Sequence, residues 1–181
     1  LFARQTQQQL SYERIEAPLD GFAAAVAEFF ANGGKGCNVT VPFKEEAYRL
    51  VDQLSPRAKL AEAVNTLKLT DDGVLLGDNT DGAGLVQDLK FHGEALQGRR
   101  VLLLGAGGAA RGALGPLLAE QPSELVIANR TFEKADILAR HFALSGPIRA
   151  AKFSELQGSF AIIINSTSAS LSGSIPAIPE Q

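Results

Sequence analysis

Methionine is absent from the 181 residues, and cysteine occurs once. The single thiol, Cys37, cannot form an internal disulfide, which suits a reducing compartment, and a cytoplasmic location is expected. The chain opens at Leu1, and Leu1 to Leu10 reads as the tail of a helix that lacks a start signal, so the sequence is expected to be a fragment. The other end, Ile175-Pro176-Ala177-Ile178-Pro179-Glu180-Gln181, stops in a proline-punctuated loop. Long apolar runs are also missing. Val101 to Leu104 and Phe160 to Ile164 are strand-sized, far below the roughly 20 residues a bilayer requires, and no signal peptide is visible. No membrane partner is expected. There is no excess of basic charge either: 17 Lys and Arg face 20 Asp and Glu, for a net charge of -3. Such a chain lacks the surface that neutralises nucleic-acid phosphates.

What is present is an ordinary core-forming composition, 45% hydrophobic, long enough for one large or two small domains. The order of elements has a β/α rhythm. Tyr12 to Ile15 alternates like a short strand, and Leu19, Phe22, Val26, Phe29 and Phe30 have helical spacing closed by Asn32-Gly33-Gly34. Cys37 to Val41 is strand-like, Pro42 marks a helix start, and Phe43, Ala47, Leu50 and Val51 form the apolar stripe of that helix. A short helix at Pro56 to Glu62 precedes a β-hairpin of Ala63 to Leu69 and Val74 to Leu76 turning at Asp71-Asp72-Gly73. A helix from Gly82 to His92, with Leu85, Val86, Leu89 and Phe91, leads to a boundary at Gln97-Gly98-Arg99.

Beyond that boundary strands and helices alternate: strand Arg100 to Leu104, helix Gly107 to Glu120, strand Leu125 to Ala128, helix Phe132 to Phe142, a weak strand Arg149 to Phe153 and strand Phe160 to Asn165. This predicts a Rossmann-type, doubly wound parallel sheet with helices on both faces. Pro116 inside the first of these helices deletes a donor and predicts a kink that Gly112 and Gly115 make tolerable.

In this half, Val101-Leu102-Leu103-Leu104-Gly105-Ala106-Gly107-Gly108-Ala109-Ala110 is a buried strand followed at once by G-x-G-x-x-A and a helix. Gly105 allows the tight turn, Gly107 lets backbone approach a pyrophosphate, and Ala110 allows close packing of helix on strand. At the end of the next strand, where an acidic residue would bind the ribose of NAD, stands Asn129-Arg130-Thr131, with Lys134 a turn later. Two cations there favour the 2′-phosphate of NADP. The alternative is a solvated Arg130 and a Thr131 that only caps the helix. Asn165-Ser166-Thr167-Ser168 follows the last strand at the edge where such sheets bind ligands, although it is also a common turn composition.

The first half carries Asn38-Val39-Thr40-Val41-Pro42-Phe43-Lys44-Glu45-Glu46. A lysine in the first turn of a helix opposes the macrodipole. Lys44 is either an exposed residue screened by Glu45 and Glu46 or an acid-base group facing a ligand. Gly77-Asp78-Asn79-Thr80-Asp81-Gly82 offers Thr80 or Asp81 as an N-cap and does not fit a calcium loop, so no metal is implied. Asn65, polar within Ala63-Val64-Asn65-Thr66-Leu67, is structural or points into a cleft. His92 and His141 sit near helix ends and are assigned no catalytic role.

Taken together, the Asn38 to Lys44 run, Ala63-Val64-Asn65-Thr66, Gly77 to Gly82, Gly105 to Ala109 and Asn129-Arg130-Thr131 resemble the shikimate dehydrogenase family in order and spacing. The resemblance runs through essentially the whole chain. Ser166 stands where the family more often has alanine, and Lys134 where its NADP-using members often have arginine.

The resemblance implies an incomplete N-terminal α/β substrate-binding catalytic domain over 1–81, a linking helix over 82–97 and an incomplete NADP-binding domain over 98–181. It implies NADPH-dependent reduction of 3-dehydroshikimate to shikimate, a step of aromatic amino acid biosynthesis. Lys44 and Asp81 would be the catalytic pair, and Thr40, Lys44, Asn65 and Asp81 would bind substrate. Gly105, Ala106, Gly107, Gly108, Ala109, Asn129, Arg130, Thr131, Lys134, Asn165 and Thr167 would hold NADP(H). A first strand and a serine-bearing loop would precede Leu1, and further helices would follow Gln181; the 181 residues alone would be poorly folded in their first half and nearly inactive. The expected partner is a small molecule, and the expected state is a monomer or homodimer. The rival readings are a quinate/shikimate dehydrogenase of broader specificity and a shikimate-sensing module without turnover.

Overall fold

A computed structural model describes residues 5–7 and 9–167. The expected opening helix, Ser168 and the closing proline loop therefore lie wholly or mostly outside the described residues. The described residues form two four-stranded sheets.

In the first half, α1 (Phe22–Ala31) precedes β1 (Gly36–Asn38), α2 (Lys44–Leu50), β2 (Gln53–Leu54), α3 (Pro56–Ala61), β3 (Thr66–Leu69) and β4 (Leu75–Asp78). The strand order is β1-β3-β4-β2. The expected hairpin is present as antiparallel β3 and β4, in a register that sets Thr66 opposite Asp78. β1 adds antiparallel to β3, and β2 adds parallel to β4. Phe22, Val26, Val39, Ala47, Ala58, Val64 and Leu67 form the core, and the Phe43 ring stacks on Phe22 at 4.7 Å.

Three local expectations do not hold. Tyr12 to Ile15 is not a strand: Tyr12 is 70% exposed, and its hydroxyl donates to Asn38 Oδ1 of β1 at 2.7 Å. Alternation gave the segment a strand-like face, but no ladder bond forms. Leu19 lies in a turn before α1, where Gly21 N–H donates to Pro18 O, and its side chain faces solvent. Pro42 lies in the turn ahead of α2, after a cis Val41–Pro42 bond, and the helix begins at Lys44.

The halves are joined by α4 (Asp81–Phe91). Leu85, Val86 and Leu89 pack inward as their spacing requires, whereas Phe91 is 85% exposed, because it falls well around the helix from Val86.

The second half runs β5 (Arg100–Leu104), α5 (Gly108–Ala119), β6 (Glu124–Ala128), α6 (Phe132–His141), β7 (Ile148–Ala151), a 3-10 turn (Phe153–Glu155) and β8 (Ile162–Asn165). Its sheet is wholly parallel, in the order β7-β6-β5-β8. The chain moves outward from β5 to β7 and then returns to the other side of β5. That reversal is the switch point of a doubly wound sheet.

Along each central strand the side chains alternate between two cores. Val101, Leu103, Leu125 and Ile127 meet α4, α5 and α6, while Leu102, Leu104, Val126 and Ala128 meet Phe153, Leu156 and Phe160. Among the described residues the helices thus cover one face of this sheet, and the turn and loop cover the other. Two successive right-handed crossovers in one direction place α5 and α6 on the same side, which accounts for the difference from the expected arrangement on both faces. Pro116 lies inside α5.

Candidate active site

Lys44 opens α2 and Asp81 opens α4, 37 residues apart in sequence. The fold brings them together through backbone bonds: Val64 N–H donates to Lys44 O at 2.9 Å, and Asn65 N–H donates to Asp78 O at 2.9 Å. The helix carrying the lysine and the loop carrying the carboxylate are therefore both tied to the approach to β3. Lys44 Nζ donates to Asp81 Oδ2 at 2.5 Å, with the lysine side chain 12% exposed and the carboxylate 37% exposed. Of the two readings of Lys44, the screened surface residue is the one this geometry disfavours. A hydrogen-bonded carboxylate stands where bulk water would otherwise surround the lysine Nζ.

Asn65 holds the other carboxylate oxygen. Its Nδ2 donates to Asp81 Oδ1 at 2.7 Å and to Thr80 Oγ1 at 3.1 Å. Its Oδ1 accepts from Thr80 N–H at 3.0 Å and from Thr66 Oγ1 at 2.8 Å. Asn65 is buried at 6% exposure, and each side of its amide is satisfied, so the orientation is fixed. Thr80 stands at the N-cap of α4 but makes no capping bond, because its hydroxyl is engaged with Asn65. Thr40 is exposed on the turn ahead of α2, where its carbonyl accepts from Phe43 N–H. Sequence reasoning missed Thr66 and Asn79. Thr66 bonds Asn65, and Asn79 Oδ1 accepts from Asp81 N–H at 3.2 Å. A polar residue next to a singled-out one was the available signal in each case.

The glycine turn follows β5. Gly105 has φ +111°, in the region that favours glycine, and its N–H donates to Ala128 O at 2.9 Å. A Cβ there would stand 2.8 Å from Ser166 Oγ, so the end of β5 and the residue after β8 close on each other at the switch point. Ser166 Oγ donates to Leu104 O at 2.7 Å, which gives the serine at this position a satisfied hydroxyl. Gly107 is the N-cap of α5, and a Cβ on it would meet nothing within 4 Å, so its backbone is open to a ligand. Ala110 is fully buried against the sheet. A Cβ on Gly108 would stand 3.0 Å from Lys44 Cβ, so the turn lies directly against the lysine.

Past β6, Asn129 Nδ2 donates to Thr131 O at 2.9 Å, and Thr131 occupies the N-cap of α6 without a side-chain cap bond. Arg130 and Lys134 are exposed and, among the described residues, form no ion pair. Ala106 and Ala109 flank the glycines. At the end of β8, Asn165 Oδ1 accepts from Thr167 N–H at 3.0 Å and from Thr167 Oγ1 at 2.7 Å, which folds these two residues onto each other.

Two further groups brace the site. Arg57 Nε donates to Asp78 Oδ1 at 2.7 Å and its Nη2 donates to Oδ2, while Ser55 Oγ donates to Oδ1 at 2.5 Å. The Arg57 guanidinium holds the Asp78 carboxyl at about 2, with Ser55 and Asn79 N–H adding to the effect. Arg111 on α5 donates to Glu62 Oε2 at 2.8 Å, and Glu62 closes α3 in a left-handed conformation. His141 Nε2 lies 2.8 Å from Leu60 O, a contact between the halves that gives this histidine a structural occupation. His92 Nδ1 lies 2.9 Å from Asp88 O within its own helix. Among the described residues no group of three or more His, Cys, Asp or Glu side chains is placed to hold a metal ion. No helix among them is long and apolar enough to cross a membrane.

A mixed sheet flanked by helices that carry a lysine-carboxylate pair, set against the glycine turn of a parallel sheet, defines a two-part α/β protein of the dinucleotide-binding fold class. Comparison with known proteins narrows this. The family described as Shikimate dehydrogenase substrate binding domain matches residues 1–67, and that described as Shikimate / quinate 5-dehydrogenase matches residues 88–172. The chain belongs to the shikimate dehydrogenase family.

It is 68% identical over 178 residues to the shikimate dehydrogenase (NADP(+)) of Aeromonas salmonicida (strain A449), covering 98% of this chain and 65% of that protein. A crystal structure of an Ael1 enzyme from Pseudomonas putida is 49% identical with a TM-score of 0.87, covering 98% of this chain and 66% of that one. The shikimate 5-dehydrogenase of Thermus thermophilus, solved in complex with NADP(H) and shikimate, is 31% identical with a TM-score of 0.83 over 98% of this chain and 65% of that one. The chain thus spans just under two thirds of the length of the curated relatives it matches.

Proposed function

We propose that this chain supplies the catalytic pair and the cofactor turn of an NADP-dependent shikimate dehydrogenase, which interconverts 3-dehydroshikimate and shikimate. The observation that carries the reading is the Lys44–Asp81 pair, 2.5 Å apart and packed against Gly108 of the glycine turn. Lys44 then lies beside the turn whose residues would hold the cofactor. The family membership and the NADP-dependent relatives support the same reaction.

The groups present fit a dinucleotide phosphate. Gly107 is open to a pyrophosphate, the α5 N-terminus offers its amides, and Arg130 and Lys134 carry free positive charge beside the end of β6. When bound, the cofactor supplies or accepts the hydride. In the reducing direction the carbonyl oxygen of the substrate gains an electron pair as the carbonyl carbon is reduced, and Lys44 Nζ gives that oxygen a proton. In the oxidising direction Lys44 takes the hydroxyl proton back. Asp81 holds the lysine by Oδ2 while Asn65 clamps its Oδ1, so the ammonium is aimed without reorganisation. Thr40 and Asp81 present polar groups to the ring hydroxyls, and Asn65, its amide already paired, serves the substrate through the carboxylate it holds. An analogue lacking one of those hydroxyls would leave the polar group that faces it unpaired in the complex and bind less well.

Lys44→Ala in the full-length protein is expected to lower kcat for shikimate oxidation by roughly 1,000-fold, the scale of lost general acid-base catalysis. NADP+ reduction is followed by absorbance. A shikimate-sensing module would show no turnover in either protein, and a broader dehydrogenase would accept quinate or NAD+ with comparable kcat/KM.

A further inference from the structure

We propose that Asn79 is a positioning residue for this reaction, fixing the backbone of Asp81 from beneath while resting on the bare backbone of Gly112 in the cofactor-side helix. The proposal rests on the functional reading above. Asn79 is 2% exposed, and its amide bonds to Ala63 O and the Asp81 N–H, so it belongs to the support of the site and not to its lining. Nδ2 donates to Ala63 O at 2.9 Å, and Oδ1 accepts from Asp81 N–H at 3.2 Å. These two bonds span the strand approach and the first residue of α4, so the amide cannot turn without breaking one of them.

Its remaining side is closed by α5. A Cβ on Gly112 would stand 2.6 Å from Asn79 Oδ1, 2.7 Å from Nδ2 and 2.9 Å from Cγ. Gly108, four residues earlier on the same helix face, is the residue on which a Cβ would meet Lys44 Cβ at 3.0 Å. One face of α5 therefore touches both catalytic partners, the lysine directly at Gly108 and the aspartate through Asn79 at Gly112. Since α5 begins at the glycine turn, the helix that receives the cofactor also sets the relation between the proton donor and its carboxylate. A methyl group at position 112 has to displace an amide that is hydrogen-bonded at both ends, and the displacement passes to Asp81 N–H.

The test is made in the full-length protein. Gly112→Ala is expected to lower kcat for shikimate oxidation by roughly 10- to 100-fold, the cost of a misplacement of about 1 Å. The KM for NADP+ is expected to stay within about twofold, and folding is retained because alanine is the better helix residue. Asn79→Ser shortens the side chain but keeps an oxygen able to accept from the N–H two residues on. The double variant Asn79→Ser/Gly112→Ala is therefore expected to recover most of the lost kcat.

Amide hydrogen exchange gives a readout independent of turnover: the Asp81 amide should exchange faster in Gly112→Ala and regain protection in the double variant. An unchanged kcat in Gly112→Ala, or a double variant no better than that single one, overturns the proposal. So does Asp81 protection that does not respond. If the parent protein oxidises no shikimate, the functional reading has failed, and the exchange experiment alone decides the role of Asn79.

Discussion

Arg130 shows what one exposed side chain can decide. It stands beside the end of β6 with Lys134 a turn away, both free of ion pairs among the described residues. A guanidinium that meets a phosphate through charge-assisted bonds contributes about 1.5–3 kcal/mol, equivalent to roughly 10- to 100-fold in affinity. Arg130→Ala is therefore expected to raise the KM for NADP+ by that factor and to leave the KM for NAD+ nearly unchanged, as measured by initial rates with each cofactor. An equal effect on both would remove Arg130 from the 2′-phosphate site.

The glycine turn and Arg130 were legible in the sequence because their signals are local: a strand, a turn and a helix in ten residues, then a charge at the next strand end. The Lys44–Asp81 pair was not legible from spacing. Residues 37 apart are joined only by tertiary bonds such as Val64 N–H to Lys44 O, and it was the family resemblance that linked them. For Asn79 the only signal was its place beside Asp81, and its contact with Gly112, like the Arg111–Glu62 bridge, depends on where α5 lies against the other half.

At the scale of elements, the crossing of α4 on α5 is set by glycine. A Cβ on Gly82 would stand 2.2 Å from Gly112 O, 2.8 Å from Ala113 Cα and 2.9 Å from Pro116 Cγ, whereas one on Gly84 would meet nothing within 4 Å. Pro116 leaves Gly112 O without its usual helical donor, and this same carbonyl lies under Gly82. Gly82→Ala must push two helix backbones apart and is expected to destabilise by roughly 2–4 kcal/mol, more than ordinary overpacking because backbone does not yield. Gly84→Ala, in the same helix, is expected to stabilise by about 0.5–1 kcal/mol through helix propensity. Chemical denaturation of the two variants should move in opposite directions; parallel shifts would mean that the crossing is looser than the geometry implies. Sequence periodicity placed both helices well but could not show this, because a glycine inside a helix reads alike whether it faces a neighbour or water. The same limit applies to Tyr12 to Ile15, whose alternation reads as a strand while its ladder bonds depend on a neighbour that the pattern does not specify.

For the whole molecule, each sheet is braced by an arginine-held carboxylate. Arg57 holds Asp78 at about 2 at the end of β4, and Arg149, with Arg100, holds Glu124 below its ordinary value at the start of β6. Both carboxyls bind protons more weakly in the folded chain than in the unfolded one. Their contribution is fully present above an unfolded-chain pKa of about 4, and it fades as pH falls through the folded values. The melting temperature is thus expected to be flat from neutral pH down to about 4.5 and to fall steeply between about 4 and 2. Asp78→Asn removes one of these contributions. It is expected to cost on the order of 1 kcal/mol at pH 7, a modest figure because the pair is partly solvated. It should cost little near pH 2, where the parent carboxyl is itself protonating. Melting curves of the two proteins would then converge on acidification. Curves that stay parallel down to pH 2 would show that the Arg57 brace acts through shape alone, and that the loop leading to Asp81 does not depend on the charge of Asp78.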